Sequence, residues 1–204
     1  MAIVINGSGT VTGISVGGLP DGIVDAGTLA TNSVDSAELV DGSIDTAHIA
    51  ADQITGAILP AGSVLQVVQG SELSSTFSTT STSFSDSGIT ASITPSSTSS
   101  KILVTFTGAQ VNTRHTSSIA SSTETQLLRG STVIYRPAAG LSNYQHLISI
   151  TGAGGVDNWT MSSYEYLDSP SSTSSVTYKM QGRMVTGTYF RARSGHITLM
   201  EIAG

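Results

Sequence analysis

One large apolar side chain recurs at every fifth residue over a long stretch near the start of the chain. The positions are Ile14, Leu19, Val24, Leu29, Val34, Leu39, Ile44, Ile49, Ile54 and Leu59. Within the stretch a ten-residue unit repeats four times, as GIVDAGTLAT, NSVDSAELVD, GSIDTAHIAA and DQITGAILPA. A period of five fits neither a helix, with about 3.6 residues per turn, nor a strand, whose side chains alternate. The repeat therefore cannot be one amphipathic element.

Each repeat unit is predicted to combine a short extended pair with a single helical turn. Val34-Asp35 begins one such pair, and Asp35 with Glu38 has the spacing of a capping box. One turn is too short to be stable alone in water, and the apolar residues of one copy cover little surface. Something outside the unit must therefore bury them.

Two arrangements would bury the apolar column. Three identical chains can wrap around a threefold axis, or one chain can coil into a four-sided pentapeptide-repeat solenoid. One coil of such a solenoid takes about twenty residues, so four units give about two coils, whereas solenoids usually need three or more repeats. The sequence therefore favours a homotrimeric stalk over residues 14–61, with the ten apolar positions as its core.

Charge is divided unevenly along the 204 residues. Residues 1–60 hold seven acids and no Lys or Arg, whereas all eight basic side chains lie between Lys101 and Arg193, together with seven acids. The boundary of the stalk is therefore placed near Pro60 to Gly62. An acidic stalk disfavours nucleic acid as a partner.

From Gly62 onward the pattern changes to period two, which predicts strands separated by Ser/Thr-rich turns. Only 11% of all residues are charged, which also fits many short strands and turns. The predicted strands are Val64 to Gln69, Ile89 to Thr94, Ile102 to Gln110, Gln126 to Arg136, His146 to Ile150, Trp159 to Leu167, Val176 to Met184 and His196 to Ile202. Arg129-Gly130-Ser131 divides the fourth run into a hairpin. The predicted fold of residues 62–204 is an all-β sandwich.

Several segments together resemble marine tailed-phage fibre proteins. They are GSVLQVVQ at Gly62, ITPSSTSSKILVTFTG from Ile93, LLRGSTVIYR from Leu127 and the terminal HITLMEIAG, preceded by the NSVDSAELVDGSIDTAHIA type of stem. The resemblance implies a homotrimeric fibre with a jelly-roll head, similar to tumour-necrosis-factor-like and complement-type heads. It implies a virion location and attachment to a host-surface glycan or protein. It brings no catalytic residues and no cofactor.

The first 13 residues alternate like short strands broken by glycines, and ahead of a stalk they suit an anchor. Their predicted partner is a tail, baseplate or capsid protein of the virion. The start of the chain has no pattern of a secretory signal, and no run reaches transmembrane length, so no membrane insertion is expected.

Enzyme and metal chemistry have weak support in the sequence. The acids of residues 62–204 are scattered, with Glu165 and Asp168 closest to a pair, and no nucleophile elbow is present. The four histidines stand apart without metal-binding spacing. Asp25, Asp35 and Asp45 recur every ten residues, and capping the following turn is their simplest use. The chain is therefore predicted to be neither an enzyme nor a metalloprotein.

Strand parity predicts where a receptor would bind. If both ends of the head lie at one side, the loops near Val185 to Gly195, Thr151 to Asn158 and Val111 to Ser122 lie at the other. The predicted receptor-binding residues in them are Arg114, His115, Tyr189, Arg191 and Arg193. These form a basic and aromatic rim that suits acidic glycans. The alternatives are a capsid decoration protein whose head is a spacer, and a secreted adhesin or enzyme-associated β-sandwich.

Overall fold

The computed structural model describes most of the second half of the chain and part of the first. The described residues are 4–5, 11–12, 29, 31, 34, 39, 41–45, 47–50, 53–56, 58–70, 72–115, 121–137, 146–148 and 156–204. For 4–5, 11–12, 108–115, 121, 146–148, 156–160 and 162 only the backbone is described. The chain divides into two compact units, Met1–Ile54 and Thr55–Gly204. The predicted boundaries at residues 13 and 61 stay predictions.

The described residues of the first unit include a small antiparallel pairing and several turns. Strands β1 (Val4–Ile5) and β2 (Val11–Thr12) pair with Val4 opposite Thr12. Farther along, the N–H of His48 donates to the carbonyl of Asp45 at 3.1 Å, which closes a turn. The Oδ1 of Asp45 accepts from the N–H of Ala47 at 2.9 Å, so this aspartate caps its turn as predicted.

The second unit is built from strands alone within its described residues. They are β3 (Val64–Gln69), β4 (Phe77–Thr79), β5 (Ser85–Ile93), β6 (Lys101–His115), β7 (Ser121–Arg129), β8 (Thr132–Tyr135), β9 (His146–Ile148), β10 (Val156–Asp168), β11 (Val176–Thr186), β12 (Phe190–Arg193) and β13 (His196–Ile202). The all-β prediction is confirmed for this part of the chain. No described helix is long and apolar enough to cross a lipid bilayer.

These strands form two sheets that face each other as a sandwich. In the first sheet the long β6 is central, with β13 and β12 in succession on one side and β10 on the other, while β3 and β4 continue the sheet beyond β13 and β12. The second sheet runs in the order β5, β11, β7, with β8 and β9 both pairing with β7. All the pairings are antiparallel, so each sheet can bury one face and expose the other.

The inward faces of both sheets form one apolar core. Its fully buried members include Ile89, Ile102, Val104, Phe106, Leu127, Tyr178, Met180, Phe190, Ile197 and Leu199. Gly182 leaves room for the ring of Phe190, because a Cβ at Gly182 would overlap that ring. The alternation in β13, where Ile197, Leu199 and Glu201 are buried between half-exposed neighbours, is the pattern from which the sequence predicted this strand.

Polar side chains tie the two sheets together at one end of the core. The carboxylate of Asp168 on β10 accepts from Nη1 of Arg129 on β7 at 2.9 Å and from the hydroxyl of Tyr178 on β11 at 2.7 Å. Burial, followed by the hydrogen bond to Asp168, raises the pKa of Tyr178, so its hydroxyl remains a donor. The hairpin at Gly130 follows Arg129 directly, and its positive φ of 58° suits glycine.

The structure corrects two details of the predicted strands. The segment Val185 to Gly195 is not a loop, because it contains the end of β11 and the whole of β12. Strand β5 starts at Ser85, four residues before the predicted Ile89. Ser87 is buried there, and its hydroxyl donates to the carbonyl of Met180 at 2.7 Å, so a polar residue occupies an inward position.

Candidate functional site

The strand register of the second unit defines a base and a far end. At the base, Ile202 lies opposite both Val64 and Lys101, and the N–H of Gly62 donates to the carbonyl of Ala203 at 2.8 Å. Both ends of this unit's sandwich therefore meet at the base. At the far end, His115 lies opposite Val156. The strand ends next to the three predicted distal loops thus lie away from the termini of the sandwich.

Four of the five predicted receptor-binding residues belong to two neighbouring strands, and the fifth, Tyr189, directly precedes β12. Arg114 and His115 are the last two residues of β6, and Arg191 and Arg193 lie on β12. Because β12 pairs with β6, Arg191 lies opposite Asn112 and Arg193 opposite Gln110. The backbone register therefore brings the two pairs to one region of the first sheet. The side chains of Arg114 and His115 lie outside the described residues.

Tyr189 does not present an open aromatic face in the single chain. It is only 7% exposed, and the guanidinium of Arg191 lies 3.9 Å from the centroid of its ring. This cation–π contact covers the ring that a stacking ligand would use. Arg193 is exposed, whereas Arg191 is half-buried. A receptor at this end would therefore meet guanidinium groups before aromatic carbon.

The outward face of the first sheet carries an apolar row that crosses four strands. Met200 on β13 lies opposite Val67 on β3 and Leu103 on β6, and Leu103 lies opposite Leu167 on β10. Val67 is 58% exposed and Leu167 51%, although both lie within strands of a folded sheet. These four side chains, named the apolar row below, point away from the core that Leu199 and Ile102 enter.

The next row on the same face is polar, so the apolar row forms a band with a defined edge. Thr198 lies opposite Gln69 and Thr105, and Thr105 lies opposite Glu165. An apolar band with a polar rim is the usual composition of an interface between proteins. Alternation in the sequence predicts which residues of one strand share a face. It does not give the register between strands that places these four residues side by side.

The stalk positions that the structure describes in the first unit are all exposed. They are Leu29, Val34, Leu39, Ile44, Ile49 and Ile54, with exposures between 38% and 53%. Ile14, Leu19 and Val24 lie outside the described residues. Leu59 belongs to the second unit and is half-buried at a cavity of about 420 Å³ whose other lining residues include Leu65 and Ser96. In a single-chain solenoid the column would face inward, so its exposure in the first unit argues against that alternative.

From Asp45 onward, turns recur among the described residues with the same period as the apolar residues. Within the first unit, Asp45 and Ala50 each accept from the N–H three residues later, at 3.1 and 3.3 Å. Within the second unit, Thr55 and Pro60 do the same at 2.9 and 3.1 Å. Each accepting residue directly follows an apolar position. A turn therefore presents one apolar side chain per five residues, and the predicted helical turn is a β-turn in these described copies.

Several acids of the second unit are engaged in structural hydrogen bonds. Asp168 is 5% exposed and holds Arg129 and Tyr178, so it does not form an open pair with the exposed Glu165. Glu201 is fully buried and accepts from the N–H and hydroxyl of Ser96 at 2.7 Å and from Nε2 of Gln66 at 2.6 Å. Burial raises the pKa of Glu201, but the bonds from Ser96 and Gln66 outweigh it and lower the pKa.

Among the described residues no group of three or more His, Asp or Glu side chains is arranged to hold a metal ion. No family model and no curated protein matches this chain.

Proposed function

We propose that the chain is the subunit of a homotrimeric virion fibre, with an N-terminal anchor, an intertwined stalk and a C-terminal jelly-roll head that attaches to the host surface. The observation that carries this proposal is the exposed column from Leu29 to Ile54. Exposed apolar side chains at a strict spacing lose contact with water only when another chain covers them. Three chains around one axis cover them equally.

The head supports the same assembly through its apolar row. Val67, Leu103, Leu167 and Met200 would pack against the neighbouring heads around the threefold axis, with Glu165 at the polar edge. The base of the sandwich holds both Gly62 and Gly204, so each stalk strand would enter its head on the side facing the virion. The strand order of the two sheets is compatible with the jelly-roll topology that the sequence resemblance implies.

Attachment would work by multivalency. Three identical weak sites on one rigid stalk raise the overall affinity without new contacts, provided that the receptors can be engaged together. Residues 1–13 would join a tail, baseplate or capsid protein by strand addition, and the pairing of Val4 with Thr12 shows a strand-forming tendency there. No cofactor and no nucleic acid takes part in this mechanism.

A competition experiment tests the attachment function. Purified full-length protein, added to host cells before virions, should occupy the receptor and reduce virion adsorption in a dose-dependent way. The same protein with residues 1–13 deleted should compete equally well but fail to join particles. Undiminished adsorption at saturating protein would contradict host attachment.

The covered ring of Tyr189 favours one alternative, a capsid decoration protein whose head is only a spacer. A spacer needs no open aromatic platform, and the cation–π contact with Arg191 closes this one. In that case the competition experiment gives no effect, while the trimer and its incorporation into particles remain. Imaging of the particle would then locate the protein on the capsid.

A further inference from the structure

An arginine pair lies on the outward face of the second sheet, away from the predicted rim. Oε2 of Glu124 on β7 accepts from Nη2 of Arg136 at 2.7 Å and from Nε and Nη2 of Arg183 at 2.9 and 2.8 Å. Glu124 is only 3% exposed, whereas the two arginine side chains are 33% and 24% exposed. One buried carboxylate therefore holds two guanidinium groups that reach solvent.

An aromatic ring fixes the same two groups. The guanidinium carbons of Arg136 and Arg183 lie 4.6 and 4.8 Å from the centroid of the Phe84 ring. Nη1 of Arg183 also donates to the carbonyl of Thr82 at 3.3 Å. Glu124 and Phe84 thus contact both arginines, so less side-chain entropy remains to be lost when a ligand binds.

The cluster retains one positive charge. Glu124 can neutralise only one of the two arginines, and Asp86 and Lys179, on the neighbouring strands β5 and β11, pair with each other at 2.8 Å. Nε and Nη1 of Arg136 donate no hydrogen bond to any described residue. A partly exposed guanidinium with unused donors and an uncompensated charge is suited to an anionic oxygen.

We propose that the arginine pair binds the carboxylate or sulfate group of an acidic saccharide. Arg136 would donate to this group from its Nε and Nη1, while Glu124 and Phe84 hold the Arg136 guanidinium in place. This inference rests on the proposed attachment function and gives its receptor a chemical class and a location. The site lies on the second sheet, so three copies would stand around the outside of a trimer whose first sheets face the axis.

Binding of defined polymers to the full-length protein tests the proposal. The probes are a uronic acid polymer (alginate), a sulfated polymer (dextran sulfate) and neutral dextran, each immobilised and measured at low and moderate salt. Wild-type protein should bind one or both acidic polymers and not the neutral one. Alginate and dextran sulfate distinguish the carboxylate from the sulfate. No binding to either acidic polymer would overturn the site.

Substitutions then locate the binding. Arg136→Gln should weaken it about tenfold or more, as loss of a hydrogen bond from a charged donor implies. Arg136→Lys should recover part of the loss, and Lys101→Gln, which removes one exposed charge from the first sheet, should have no effect. Equal weakening by R136Q and K101Q would show general charge attraction and contradict the site.

Glu124→Gln should change the affinity for acidic polymers in the direction opposite to Arg136→Gln. It removes the internal anion that competes for the arginines, so acidic-polymer binding should tighten even though the fold is less stable. If the cluster only stabilised the fold, E124Q and R136Q would both weaken polymer binding, and each loss would follow the fall in that variant's melting temperature. If these variants leave polymer binding unchanged while the protein still blocks virion adsorption, the site fails and the attachment function stands.

Discussion

Large apolar side chains are buried in the core of the second unit but exposed at the described repeat positions of the first. Ile102 and Leu199 are fully buried in the sandwich, whereas Ile44 and Leu39 in the first unit are 49% and 43% exposed. In the sandwich, alternation gives every strand an inward face, and two sheets cover each other. Turns that begin at Asp45, Ala50, Thr55 and Pro60 present one apolar side chain in every five residues, and the last of them also bonds to Ala203 of the sandwich. The sandwich therefore has an apolar core within one chain, whereas the described apolar positions of the first unit would be covered by the other chains of the proposed trimer.

The largest expected effect follows from placing charges in the stalk. The double variant Ile44→Asp, Ile49→Asp should abolish trimers, because six uncompensated carboxylates would be buried at several kcal/mol each. Ser43→Asp adds one carboxylate per chain beside the column, half as many as the double variant, at an exposed position and should leave assembly intact. Light scattering measures both variants. Trimers that persist in the double variant would contradict the proposal that Ile44 and Ile49 are buried between chains.

The head core should respond to substitution whether or not the chain assembles. Phe106→Ala should lower the free energy of unfolding by about 3 to 5 kcal/mol, since a fully buried ring that stacks on Tyr164 leaves a cavity. Val133→Ala, at a 46% exposed position of β8, should cost much less. Denaturant titration of the full chain measures the difference. Similar losses for the two variants would mean that the sandwich is not the stability-determining core.

The apolar row should affect assembly more than folding. Leu167→Asp should weaken association of the heads about tenfold or more, because a charge would replace an apolar contact between chains. Val133→Asp is a matched control, since Val133 is exposed to a similar degree on the second sheet. Analytical ultracentrifugation over a dilution series compares the two. If Leu167→Asp and Val133→Asp associated with equal affinity, the first sheet would be excluded as the interface.

The smallest effect concerns acid stability at the base. The pKa of Glu201 is lower in the folded protein than its ordinary value of 4.5, so its ionised form stabilises the fold above that pH. This contribution is lost as the pH falls below about 4.5 toward the folded pKa. Glu201→Gln should lower stability at neutral pH by about 1 to 3 kcal/mol and flatten the acid dependence. An unchanged acid dependence in the variant would contradict this role.

Period two was sufficient to predict most of the second unit. All eight predicted strand regions contain strands, and Val64–Gln69 and His196–Ile202 match to the residue. The missed strands β4 and β12 have three and four residues, too few for alternation to be recognised. In β12, the buried Phe190 and Ala192 alternate with Arg191 and Arg193, and the arginines gave the segment the character of a polar loop.

The candidate surfaces were less predictable because they depend on register. The apolar row takes one residue from each of four strands, and Arg183 meets Glu124 because the two residues lie opposite each other across β7 and β11. Residues far apart in sequence give no local signal for such a match. Similarly, alternation alone could not show that Arg191 would cover the ring of Tyr189.

The molar mass of the full-length protein in solution tests most directly whether other copies of the chain cover the stalk column. Light scattering across a dilution series should give three chains of 20.8 kDa per particle, with no monomer at micromolar concentration. Hydrogen exchange on the same sample should show protected amides in residues 29–54 of the trimer. A monodisperse monomer with those amides protected would contradict the account, because a single chain would then order the stalk without partners.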